Sequence, residues 1–206
     1  MTLVRVNSKN VESKIDNKKS INAVMDFILE DLANEEEVVS NIHVNGQEIA
    51  PDEEAIMNAP ISEFDSIDFT ITKSVDLAFD ALDSSGAYID IMIEKIQELT
   101  SLYQKNQNAK ANKLFGETIE IIDLFIQLMT RVQRTFKKSG LVKGPKTETI
   151  AQLEIHLLSI LKALLPAKEK EDIIMLCDLL EYELIDNLTQ WKIKAVPELK
   201  ELRILD

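Results

Sequence analysis

Four kinds of side chain in this sequence have the chemistry to form a site: two histidines, one cysteine, pairs of carboxylates and one cluster of lysines. His43 stands next to a turn at Asn45-Gly46. His156 stands in a helical stretch beside Thr149, Gln152 and Ser159, a polar face that reads as surface. No Glu-x-x-His pair of the di-iron bundle type is present, and no His/Cys spacing suits zinc, so no metal and no cofactor is expected. Cys177 falls on an apolar seam among Asp172, Asp178 and Glu181. Acidic neighbours and burial both disfavour a thiolate, so it reads as a core cysteine.

The carboxylate pairs Asp90/Glu94, Glu117/Glu120 and Asp178/Glu181 lie on common helix faces and read as solvated surface. General acid catalysis needs a pocket that raises one pKa, and nothing in the spacing builds one. Phosphate-cradling glycine loops, a Gly-x-Ser-x-Gly elbow and a calcium-loop pattern are all missing, and Asp52-Glu53-Glu54 has neither the spacing nor the glycine for calcium. No catalytic residue is assigned and the chain is not expected to be an enzyme. The lysines Lys137, Lys138, Lys143 and Lys146 form a basic loop over residues 137–146 without interleaved aromatics. That reads as a solvated loop, or as a contact for an acidic partner surface.

One further segment, residues 179–193, concentrates aromatic and aliphatic side chains. Leu179, Tyr182, Trp191 and Ile193 are the candidate protein-interaction residues, because Tyr and Trp bury much area while keeping a polar handle. The competing reading makes this the most buried helix of a bundle.

These residues are positioned by two kinds of element. Up to residue 73 the pattern is mixed. Residues 2–7 and 10–15 read as short strands, and Ser20 caps a helix with Ile21, Val24, Ile28 and Leu32 on one face. "VVSNIHVNGQEIAP" reads as a hairpin turning at Asn45-Gly46, which tolerates the positive φ of a type I′ turn. "SIDFTITK" alternates Ile67, Phe69 and Ile71 with polar residues. This order, with one helix laid across a mixed sheet, resembles the ubiquitin-like β-grasp over residues 2–73. The resemblance implies an adaptor or interaction module. It does not imply conjugation, because the last strand runs into Lys73-Ser74 rather than a free Gly-Gly tail.

From Ser74 the period becomes helical. Ala78, Leu82, Ser85, Ile89, Met92, Ile96, Leu99 and Tyr103 recur at steps of four and three, a heptad seam interrupted only by Gly86, which marks a kink or a close crossing. A second helix carries Leu114, Thr118, Ile121, Phe125, Leu128 and Val132, and Ile122, Ile126 and Met129 widen that face. A third starts at Thr147, buries Ile150, Leu153, Leu157, Ile160 or Leu161, and Leu164, and ends at Pro166. A fourth runs from about Glu169 to Lys194 with a seam of Ile173, Cys177, Leu180, Leu184, Leu188 and Trp191 and a second apolar flank of Leu176, Leu179 and Ile185; Pro197 breaks it, and "ELKELRIL" adds at most one short turn or helix. The expected class is α+β: a β-grasp-like sheet module over residues 1–73, then an antiparallel four-helix bundle over residues 74–206.

Charge bounds the partners. The net charge is −13; residues 1–73 carry six Lys and Arg against fifteen Asp and Glu, residues 74–206 seventeen against twenty-one. Such a field repels nucleic acid and favours a basic protein partner. A single cysteine gives no sign of an oxidising compartment, no cleavable leader is apparent, and uninterrupted apolar runs are too short to span a membrane, so a bacterial-type cytoplasm is expected. The expected function is a non-enzymatic adaptor, scaffold or regulatory factor that binds a protein, with a homodimer permitted by the wide apolar faces. The alternatives are a secretion or flagellar-type chaperone, and an enzyme with a carboxylate site at the module junction.

Overall fold

The computed structural model describes residues 2–11, 16, 19–50, 52–142 and 147–205. The chain divides into two compact units, Met1–Leu77 and Ala78–Asp206. It is an α+β protein: a five-stranded sheet followed by a helical region.

The first unit contains β1 (Leu3–Val6), β2 (Lys9–Asn10), α1 (Ile21–Asp31), β3 (Glu37–Val44), β4 (Gln47–Glu48), the single-turn α2 (Glu54–Met57) and β5 (Ser66–Lys73). The sheet order is β2-β1-β5-β3-β4, with β1 and β5 parallel and every other pair antiparallel. Alternation does what the sequence predicts. Val4, Ile42, Ile67 and Phe69 point to one face and are buried with Ile21, Val24 and Ile28 of α1. Ser20 caps α1 by accepting from the Ala23 N–H.

Both hairpin turns use asparagine in the left-handed region, Asn7 at φ 46° and Asn45 at φ 51°. Each side chain then clamps β5 or its approach. Asn7 accepts from the Ile71 N–H and donates to the Ile71 carbonyl. Asn45 Oδ1 accepts from the N–H groups of Asp65 and Ser66 at 2.9 and 3.0 Å.

Two expectations need revision here. The periodic stretch after Ser20 is helical only to Asp31, because Glu37 turns back to accept from the Asn34 backbone and side chain, which ends the helix and opens β3. The second strand consists of Lys9 and Asn10; residues 12–15, expected to extend it, lie outside the described residues.

The second unit is an antiparallel bundle. Its helices are α3 (Ser74–Gln104), α4 (Asn108–Lys138), α5 (Glu148–Glu169) and a last helix over residues 173–205. Asn106, at φ 56°, reverses the chain between α3 and α4. Phe79 stacks on Phe136 with centroids 4.7 Å apart, and Tyr103 donates to Asn112, so the two helices run in opposite directions. Every seam residue of α3 from Ala78 to Tyr103 is buried. The seam of α4 is rotated from the expected one. Ala111, Thr118, Ile122, Phe125, Met129, Val132 and Phe136 are buried, whereas Leu114, Ile121 and Leu128 are only half-buried. The stretch is apolar on both candidate faces, and Phe136 and Phe125 draw the larger rings inward. In α5 Ile160, not Leu161, takes the core position.

Neither proline stops its helix where expected. α5 continues one turn past Pro166 to Glu169, and Asp172 caps the next helix, which therefore starts at Ile173. Pro197 sits at the start of an α-helical segment, where its missing N–H matters least.

The last helix alternates α6 (Ile173–Asp178), a π-helical turn at Leu179–Leu184, α7 (Ile185–Gln190), a second π-helical turn at Trp191–Ala195, and α8 (Val196–Glu201). Among its buried residues, Leu180, Leu184, Leu188, Trp191, Ala195 and Leu199 form one row that advances by 4-4-3-4-4. That repeat exceeds the 3.6 residues of a straight α-helix, and the wider π turns absorb the surplus.

Gly86 marks no kink. A Cβ there would meet only Lys192 Cε at 3.9 Å, an ordinary contact, inside an unbroken α3. Gly86→Ala is therefore expected to stabilise the protein by roughly 0.5–1 kcal/mol, read as a higher urea midpoint at unchanged slope. A lower midpoint would show that the glycine is needed for close approach after all.

Candidate functional site

The sequence candidates are scattered. His43 is half-buried on the sheet face opposite α1, in a row of cross-strand neighbours that runs Asn10, Arg5, Asp68, His43, Glu48 over all five strands. Arg5 and Asp68 in that row form a two-pronged ion pair. His156 is more than a surface residue. Its Nε2 lies 3.2 Å from Glu183 Oε2, and its Nδ1 lies 3.2 Å from the amide nitrogen of Asn187, which also donates to the Leu153 carbonyl. Because Asn187 has only donors to offer at that nitrogen, Nδ1 is the accepting atom and Nε2–H donates to Glu183. The cluster ties α5 to the last helix around an asparagine that is fully buried.

Cys177 is buried, and desolvation, followed by the carboxylates of Glu181 and Asp178, pushes its thiol above the ordinary range. Of the paired carboxylates, Asp90 and Glu117 go to ion pairs, Glu117 with Lys113 at 3.8 Å. Lys192 reaches both oxygens of Asp90 at 2.6 Å, and Asp83 is shared by Arg203 at 2.9 Å and Lys200 at 3.1 Å. Hydrogen bonds from Arg203 and then Lys200 hold the exposed Asp83 carboxyl below its usual range, the opposite of the shift a general acid requires. Among the described residues no group of three or more His, Cys, Asp or Glu is placed to hold a metal ion.

The basic loop is shorter than expected. α4 runs through Lys138, so Lys137 and Lys138 are exposed helical residues of its last turn, where cations suit the helix dipole; Lys143 and Lys146 lie outside the described residues.

The four candidate interaction residues separate by burial. Trp191 is 1% exposed and meets Phe125 edge to face at 5.6 Å, so it belongs to the core and not to a surface. Leu179 is half-buried, while Ile193 and Tyr182 are exposed, Tyr182 at 70%. Tyr182 and Leu179 line a shallow groove with Ile174, and the carboxylates of Asp172, Asp178 and Glu183 complete it. Ile174 is 78% exposed, and neighbouring Met175 is exposed as well. The sequence reading missed both, although "DIIML" carries a signal. Only one of two adjacent isoleucines can face a helical seam, so the other must face outward.

One helix, α5, is long and apolar enough by length and composition to cross a membrane, a point that uninterrupted apolar runs did not reveal. Ile150, Leu157, Ile160 and Leu164 pack it into the bundle.

A five-stranded sheet unit followed by a four-helix unit makes this an α+β protein. Residues 80–194, more than half the chain, match the family model described as Domain of unknown function (DUF8042), and the chain belongs to that family. Residues 2–73 match the model described as TP0873 N-terminal domain. Neither the curated proteins nor the solved structures contain a match to the chain.

Trp191→Ala is expected to cost about 3–5 kcal/mol in chemical denaturation, whereas Tyr182→Ala should stay within about 0.5 kcal/mol of wild type. Comparable losses would mean that Tyr182 is packed rather than free. Cys177 in the folded protein should react with iodoacetamide at pH 8 at least roughly tenfold more slowly than it does in urea. Equal rates would contradict its burial.

Proposed function

We propose that this chain is a non-enzymatic interaction module, an adaptor or regulatory factor, whose last helix binds a basic amphipathic segment of a protein partner. The observation that carries this is the groove on residues 172–183. Ile174 and Tyr182 are among the most exposed large side chains of the bundle, and every charged side chain lining the groove is a carboxylate. A helix that presents aliphatic anchors flanked by Lys or Arg would bury the apolar pair and meet those carboxylates. The mixed sheet with α1 packed on one face supports reading residues 2–73 as a ubiquitin-like β-grasp, and such a module without a conjugating tail supports an adaptor role. A lone, buried cysteine supports the cytoplasm as its compartment.

The second reading, a secretion or flagellar-type chaperone, draws on α5. Its apolar window has a mean hydropathy of 1.4 but is only 28% buried, and Ile155, Leu158 and Leu165 face outward at 69%, 51% and 62% exposure. Such a stripe suits a client segment that is unfolded when free.

The test is a pull-down from the native host with mass spectrometry, with cross-links mapping the contact. Wild type is expected to retain a stoichiometric partner whose cross-links to residues 172–183 fall in a Lys- or Arg-rich helix. Ile174→Asp is expected to lower recovery at least roughly tenfold with the far-UV spectrum unchanged, and 0.5 M salt to weaken binding. A partner held equally well by Ile174→Asp would sink the groove reading. If cross-links instead fall on Ile155 and Leu158 from an unstructured client, the chaperone reading takes its place.

A further inference from the structure

The bundle holds a cavity of about 180 Å³ between α4, α5 and the last helix. Its walls are mostly apolar, with Phe125, Met129, Leu157 and Trp191 among them, and Thr130 and Glu154 are its polar residues. Trp191 is 1% exposed, and its indole N–H has no hydrogen-bond partner. That is unusual, because a buried Trp N–H normally finds an acceptor and one left unmet is destabilising. A second orphan belongs to a residue outside the lining that is bonded to a lining residue. Gln133 Oε1, one turn along α4 from Met129, is buried without a partner, while its Nε2 donates to Glu154 at 3.0 Å. An orphaned polar atom on a residue that lines an apolar cavity points to an occupant that supplies what the protein does not.

We propose that this cavity is a binding site for a small, mostly apolar molecule that carries a hydrogen-bond acceptor for the Trp191 N–H. Size sets the class. A dry apolar cavity of ~150 Å³ accepts benzene, so this one suits a single ring with a carbonyl or ether oxygen. The acceptor lies against Trp191 and the ring against Phe125, Met129 and Leu157. The site shares no residue with the groove on residues 172–183, so the two can fail separately.

Trp191 is the sole tryptophan, so the protein gives one indole cross-peak in a ¹H–¹⁵N correlation spectrum. The probes are cyclohexanone and methylenecyclohexane, the same ring with and without an acceptor oxygen. Both are expected to shift the indole cross-peak saturably, and only the ketone should move the indole proton downfield. Leu158→Phe, at the half-exposed edge of the cavity, should abolish the saturable shift while the remaining backbone peaks stay in place. Linear, non-saturating shifts with both probes would overturn the proposal. So would a ketone that saturates without a downfield shift, or a response unchanged in Leu158→Phe.

Discussion

The bundle depends on seating a helix whose apolar seam repeats more slowly than an α-helix turns. From Leu180 to Leu199 one row of buried side chains advances by 4-4-3-4-4, so a straight helix would swing part of that row into water. Two π-helical turns keep the seam facing inward. The second begins at Trp191, whose ring closes edge to face on Phe125. Beyond it, Lys192, Lys200 and Arg203 come into line with Asp90 and Asp83 on α3. The hydrophobic term dominates here, since exposed ion pairs each contribute little. The pairs set direction more than stability.

A different economy governs the sheet. β5 lies at the centre of the sheet, paired in parallel with β1 and antiparallel with β3. Its alternation supplies the core, and its register is checked twice by asparagine side chains from the two hairpin turns. A residue chosen for a left-handed backbone thereby acquires a second task. The open face carries a polar row with Arg5, Asp68, His43 and Glu48 side by side, which suits a face with no apolar side to hide.

Function in this molecule is written in exceptions to burial. Trp191 and Tyr182 look alike in the sequence as aromatic residues of one helix, and the structure sends one to the core and the other to water. Their separation of nine positions is two and a half helical turns, which sets them on opposite faces, as the apolar seam through Trp191 already indicates. Ile174 and Tyr182 gather on the outer side with three carboxylates, and the indole N–H of Trp191 is buried without an acceptor. Surface groove and interior cavity are thus products of the same helix, and each departs from the rule that apolar groups hide and polar groups pair.

The sequence by itself determined the α+β class, the order of the elements, the Asn45-Gly46 turn, the caps at Ser20 and Thr147, and the seam of α3 from Ala78 to Tyr103, though not the burial of Phe79 and Thr100 beside it. All of these depend on residues within one or two turns of each other, which is the range over which period and capping act. Only the tertiary structure decided the strand order, the rotated seam of α4, the passage of helix through Pro166 and Pro197, and the pairing of Asp90 with Lys192 and of Asp83 with Arg203, 102 and 120 positions apart. It also decided that His156 lies against Glu183 and Asn187. Where a segment is apolar on two flanks, local pattern cannot say which flank is covered. The choice falls to the volume of the neighbouring helices, and with it the choice of which residues remain free to bind.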